Sequence, residues 1–302
     1  MKIADLFCGC GGLSLGFSMA GFEIVSGYDN WETALETYRL NFHHKAELLD
    51  LKNVEHSVDI LLKDGVDMII GGPPCQDFSS AGKRDENNGR GDLTVCYASI
   101  INKVRPACFV MENVERIIKT DKLVQAKEIF QQAGYGLTQT VLDASRCQVP
   151  QKRKRFFLIG MLGEHDGFLD KQLQKGLSKR PMTVADYLGN SLGIEFYYRH
   201  PRSYARRGIF SIHEPSPTIR GVNRPVPRGY QLKHNDPVSS IEGIRPLTTV
   251  ERSYIQTFPK TYQFTGSKTE VEQMIGNAVP VNLGCYVAKA LKEYMDCKHS
   301  LQ

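Results

Sequence analysis

Short apolar runs alternate with stretches of helical spacing between Lys2 and Met161, and this alternation constrains the fold more than any other feature. Strands are expected at Lys2–Phe7, Glu23–Tyr28, Val66–Ile70, Ala107–Met111, Leu137–Leu142 and Arg155–Met161, each a short run that stops at a turn. Helices are expected from Leu13 onward, over Trp31–Phe42, and near Val54–Lys63, Leu93–Val104 and Lys122–Ala133. Strands this apolar, joined through helices, pack as a mostly parallel sheet covered on both faces. The expected class is α/β. From about Arg180 the pattern breaks, and helical periodicity returns only at Leu247–Phe258 and Val281–Tyr294, so the intervening stretch reads as a smaller inserted domain.

Charge sets that insertion apart. The chain carries +5 overall, yet between Arg199 and Asn235 the bases Arg199, Arg202, Arg206, Arg207, Arg220, Arg224, Arg228 and Lys233 stand against one acid, Glu214, a local +7. Prolines 201, 215, 217, 225, 227 and 237 exclude a long helix, which leaves short strands and ordered loops. Clustered arginine is what contact with a phosphate backbone needs; the bland alternative is a solvated basic loop. No apolar run approaches the ~18 residues of a membrane span, and no secretory signal is seen, so a cytoplasmic, DNA-associated protein is expected. The eight cysteines include no C-x-x-C pair, so neither a metal site nor a disulfide framework is expected.

In an open parallel sheet, ligands bind beyond the carboxyl ends of the strands, and the unusual residues of this chain fall there. After Phe7 comes a turn with Gly9, Gly11 and Gly12, suited to close approach of a ligand, and Asp29 ends the second strand, where an acid can hydrogen-bond ribose hydroxyls. Dinucleotide enzymes, adenosylmethionine enzymes and plain structural turns all share that signal. Pro73-Pro74-Cys75-Gln76-Asp77-Phe78-Ser79 follows another strand and holds a thiol behind two residues of fixed φ, the setting of a nucleophile rather than a core cysteine. The polar loop Ser80–Gly91, with Gly82, Gly89 and Gly91, is expected to close over a substrate. Glu112 ends the next strand, where burial would raise its pKa and make it a proton donor near neutrality. Arg153 and Arg155 alternate onto one face and suit a phosphate or a carbonyl oxygen.

Together these residues resemble the cytosine-5 DNA methyltransferases of bacterial modification systems. Asp5-Leu6-Phe7-Cys8-Gly9-Cys10-Gly11-Gly12 resembles the family's cofactor loop, Pro73 to Ser79 its nucleophile motif, Glu112-Asn113-Val114 its proton-donor motif and Gln151 to Arg155 its arginine motif. Arg245-Pro246-Leu247-Thr248 through Phe258-Pro259 and Gln273 to Pro280 are similar to its closing segments, and Pro217-Thr218-Ile219 to a short signature in its recognition domain. The resemblance implies a Rossmann-like methyltransferase sheet over 1–179, a small, mostly irregular or β target-recognition domain over 180–244, and a return over 245–302. It implies S-adenosyl-L-methionine as donor, held by Phe7, Gly9, Gly11, Gly12, Asp29, Asp50, Leu51, Pro74, Leu93, Asn277 and Val279. Cys75 would be the nucleophile, Glu112 the acid, and Arg153 and Arg155 would hold the base or a flanking phosphate.

The implied partner is double-stranded DNA, met by Gln76, Ser79, Arg90, Arg202, Arg206, Arg207, Thr218, Arg220, Arg224 and Arg228, with the target base flipped out. A monomer working beside a restriction endonuclease is the expectation. Three alternatives stand: a tRNA methyltransferase of the same fold, a nicotinamide-dependent oxidoreductase using only the glycine loop and Asp29, and a silent DNA-binding regulator.

Overall fold

Seven strands form one sheet in the computed structural model, which describes residues 1–74, 92–201, 203 and 206–300. The chain runs β1 (Lys2–Leu6), α1 (Gly12–Met19), β2 (Glu23–Asp29), α2 (Glu32–Asn41), β3 (Lys45–Leu48), α3 (Val54–Asp64), β4 (Met68–Gly71), α4 (Leu93–Val104), β5 (Cys108–Val114), α5 (Asp121–Gln132), β6 (Tyr135–Asp143), β7 (Gln151–Lys152) and β8 (Lys154–Leu162). Strand order is β3-β2-β1-β4-β5-β8-β6, and the neighbours from β3 to β5 pair in parallel. β8 runs antiparallel to both β5 and β6. The reversal matters for the site, because it brings the start of β8 to the edge where β5 ends, with Val114 opposite Arg155.

Alternation along the strands builds two cores. Ile3, Ile70, Val110 and Ile159 face Leu13 and Phe17 of α1 and Leu283, Val287 and Leu291 near the C-terminus. Ala4, Leu6, Ile69, Phe109 and Leu158 face Leu61, Tyr97, Ile101, Leu123 and Phe130 on the opposite side. Six strands match the sequence expectation in place. β3 was not among them: its four residues, Lys45 to Leu48, are largely exposed, as suits an edge strand, and too few for their alternation to stand out.

Beyond the sheet come α6 (Asp170–Lys175), α7 (Val184–Leu188), β9 (Phe196–Tyr198), β10 (Ile209–Ser211), β11 (Ser216–Pro217), α8 (Thr249–Ile255), α9 (Lys268–Asn277) and α10 (Val281–His299). β9 and β10 form an antiparallel pair, and β11 pairs in parallel with β7, tying the basic segment to the catalytic half. The small core joins Val184, Tyr197, Phe210, Ile212 and Ile219 to Leu247, Ile255, Val271 and Ile275. A boundary at 244 therefore cuts through one hydrophobic cluster: α8 and α9 complete the small unit, and α10 returns to α1. Helix α9 lies outside the expected helices although Ser267 and Glu270 form a capping box at its start. α8 stops at Ile255, before the expected end, and Thr257 takes a φ of 62°.

Candidate active site

The carboxyl ends of β1 and β4 lie side by side, Leu6 beside Gly71, and Gly71 lies beside Met111 of β5, which runs on to Val114. One residue further on, Gly72 and Glu112 meet: a Cβ on Gly72 would lie 3.1 Å from Glu112 Oε2, so the missing side chain makes room for the carboxylate. Glu112 is 8% exposed, and the Arg155 Nε donates to its Oε1 at 2.8 Å. Burial raises the Glu112 pKa, opposed by the charges of Arg155 and Arg153 and the bond from Arg155. Next to it, the Asn113 amide donates to the Pro73 carbonyl at 2.8 Å and fixes the chain that leads to position 75. Cys75, Gln76, Ser79 and Arg90 lie outside the described residues, as does Arg202.

The two arginines expected to face a substrate together have different partners. Arg155 meets Glu112, whereas Arg153 is 1% exposed and spends its guanidinium on protein carbonyls: Nη1 donates to Ile219 O at 2.9 Å, and Nη2 to Gly276 O at 2.9 Å and Ala278 O at 3.1 Å. Period-two alternation grouped the two side chains on one face, yet Arg153 falls at the break between β7 and β8. Alternation could not reveal that distant segments fill the space around Arg153.

The first loop shows a similar division. Phe7 has a φ of 59°, uncommon outside glycine, and turns the chain sharply after β1. A Cβ at Gly9 would meet nothing within 4 Å, so this residue faces open space. Gly11 and Gly12 instead yield to protein: Cβ atoms there would lie 2.4 Å from the Phe42 ring and 2.3 Å from Val279 O. Both oxygens of Asp29 accept backbone N–H groups, from Gly9 at 2.8 Å and Trp31 at 2.9 Å, which leaves each oxygen a second lone pair. Leu51, Leu93 and Val279 are buried, Phe7 is half-buried, and Asp50, Pro74 and Asn277 are exposed. A half-buried acid with spare acceptors, an open glycine and apolar neighbours fit a nucleoside.

Beneath the loop lies a buried chain to which the sequence reading assigned no role. Ser14 Oγ donates to Asp5 Oδ2 at 2.6 Å and lies 2.8 Å from Tyr38 Oη, itself 2.8 Å from His44 Nε2. Burial pushes the Asp5 carboxyl up to about 7. Asp5 stood in the loop motif, but its burial depends on β1 being covered by α1 and α2, which no local pattern states.

Of the basic candidates, Arg206, Arg224 and Arg228 are exposed. Arg207 pairs with Glu214 and lies over the Phe210 ring at 4.4 Å; Arg220 donates to His200 O; Thr218 Oγ1 donates to Lys152 O at 2.7 Å. Arg207 and Arg220 thus bond within the segment, and Thr218 bonds it to β7. No described helix is long and apolar enough to cross a membrane.

Comparison with known proteins identifies the family. The chain is 59% identical over 292 residues to the Type II methyltransferase M.HindV of Haemophilus influenzae, covering 96% of each. It is 53% identical to the Type II methyltransferase M.HgiDI of Herpetosiphon aurantiacus, over 98% of this chain and 96% of that one. The structure of the S. pombe Dnmt2 methyltransferase superposes with a TM-score of 0.74 over 98% of this chain and 99% of the other, at 16% identity, a likeness of fold. Because the family model for C-5 cytosine-specific DNA methylases matches residues 1–293, this chain belongs to that family.

Proposed function

We propose that this cytosine-5 DNA methyltransferase takes its methyl group from S-adenosyl-L-methionine and delivers it to a flipped-out cytosine through a transient bond to Cys75. Carbon-5 of cytosine is too weak a nucleophile to attack a sulfonium methyl unaided. The Cys75 thiolate adds to carbon-6, and Glu112 donates a proton or hydrogen bond at nitrogen-3, so the ring becomes an enamine that is nucleophilic at carbon-5. When bound, the donor supplies the electrophilic methyl. Loss of the carbon-5 proton then returns the electron pair to the ring and expels Cys75. Arg155 keeps Glu112 oriented and adds positive charge beside it.

The observation that carries this reading is the buried Glu112 near the end of β5, braced by Arg155 and lying against Gly72, which precedes Pro73, Pro74 and Cys75 in the sequence. Asp29, Gly9, Leu51, Leu93 and Val279 would form the donor site. Exposed Arg206, Arg224 and Arg228 would meet DNA phosphates, and the loop holding Gln76, Ser79 and Arg90 would close on the duplex. A companion endonuclease belongs to the same proposal. The test is a duplex carrying 5-fluorocytosine at the cognate position: saturating donor should trap a denaturation-stable adduct at Cys75. Turnover without an adduct refutes the thiol mechanism, and labelling of tRNA in place of duplex DNA would move the substrate to RNA.

A further inference from the structure

Nothing in the proposed chemistry uses the polar hub around Arg153, yet its geometry joins the two halves of the site. The segment Ile219–Asn223 of the basic insertion is bonded to residue 153, to α8 and α9 and to the chain just before α8. Arg153 holds Ile219 O, Arg252 donates to Arg220 O, and the Asn223 amide reaches Leu247 O at 2.8 Å and Glu272 at 3.2 Å. Gln151 Oε1 accepts the Ile219 N–H at 2.9 Å, and its amide donates to Gln256 Oε1 at 2.7 Å. The Gln256 amide reaches Ile275 O and Ala278 O. Gly276 and Gly221 touch backbone to backbone, for a Cβ on Gly276 would lie 2.2 Å from Gly221 N. The far end of this hub, Ala278–Val279, rests its carbonyl on Gly12 of the first loop.

We infer that Arg153 is a positioning residue that makes donor binding and duplex recognition interdependent. One guanidinium bridges Ile219 O on the recognition side to Gly276 O and Ala278 O on the donor side, all in a buried place. A buried carbonyl left without its donor is costly, so movement of Ile219 on a duplex must carry residues 276–278 along or break a charge-assisted bond. The two segments therefore shift as one body. Donor and duplex, on this proposal, favour the same placement of that body, and by linkage each then tightens the other by the same factor.

This inference rests on the recognition and donor roles proposed above, and the experiment separates the two. The affinity of S-adenosylhomocysteine is measured by calorimetry with and without a duplex carrying the mapped target sequence, for the wild-type chain, Arg153→Met and Arg153→Lys. The wild type should gain at least about fivefold from the duplex. Arg153→Met should lose most of that gain, and Arg153→Lys should recover part of it. A wild-type ratio of one, or a ratio kept in Arg153→Met, overturns the inference while leaving the methyltransferase reading intact. Absence of any duplex binding overturns both. Should Arg153→Met fail to fold, hydrogen exchange of the wild type decides: duplex alone should slow exchange at 276–279 as well as at 218–223, and protection confined to 218–223 overturns the coupling.

Discussion

Glu112 sits where burial and neighbouring positive charge act against each other, and burial is the larger influence on its carboxyl. A group that works as an acid with a raised pKa loses its proton as pH climbs through that pKa, so kcat should fall on the alkaline side. Glu112→Gln should lower kcat by about 10²–10⁴ and abolish that alkaline limb, read from single-turnover rates across pH. Asp5 offers a test of stability. Its carboxyl moves from 3.8 unfolded to about 7 folded. The folded state thus holds the proton more tightly, and this stabilisation is complete below about pH 4 and lost as pH rises through about 7. Asp5→Asn should flatten that decline, by at most on the order of 4 kcal/mol, in urea titrations run at several pH values. Neither effect was fully legible beforehand. The place of Glu112 after four apolar residues was readable, although β5 runs on to Val114, and its bond to Arg155 required the reversed strand.

At the scale of elements, close approaches without side chains hold the sheet layers together. Gly16 lies where α1 meets α10: a Cβ there would stand 2.6 Å from Cys285 N and Val281 O, both backbone atoms that cannot swing aside. Gly16→Ala gains up to about 1 kcal/mol of helix propensity, yet overpacking costs about 1–3 kcal/mol, so the melting temperature should drop. A rise in melting temperature would mean the helices can separate freely. The helices and strands of the catalytic half were readable because each buries one apolar face, and burial leaves a period in the sequence. β3 escaped because an exposed edge strand has no such face. α9 left a signal in its Ser267–Glu270 capping box, a local marker independent of periodicity.

For the whole molecule, the division of labour among arginines separates contact from framework. Arg224 and Arg228 are exposed, so Arg224→Ala and Arg228→Ala should weaken binding to any duplex, each lowering the slope of log K against log salt by about 0.9. Arg207→Ala should leave that slope unchanged and lower the melting temperature instead, because Arg207 is paired with Glu214 and stacked on Phe210. Equal slopes for all three variants would contradict the assignment. The amino-acid order by itself determined the layered sheet, the loops at its carboxyl edge and the residue types available for chemistry, since local periodicity and turn residues encode those directly. Tertiary structure alone decided that Arg155 braces the acid while Arg153 grips three carbonyls, that Gly11 and Gly12 make way for protein, and that α8 and α9 complete the small core. Each of these depends on which distant backbone fills the space beside a side chain, and chain neighbours carry no record of that.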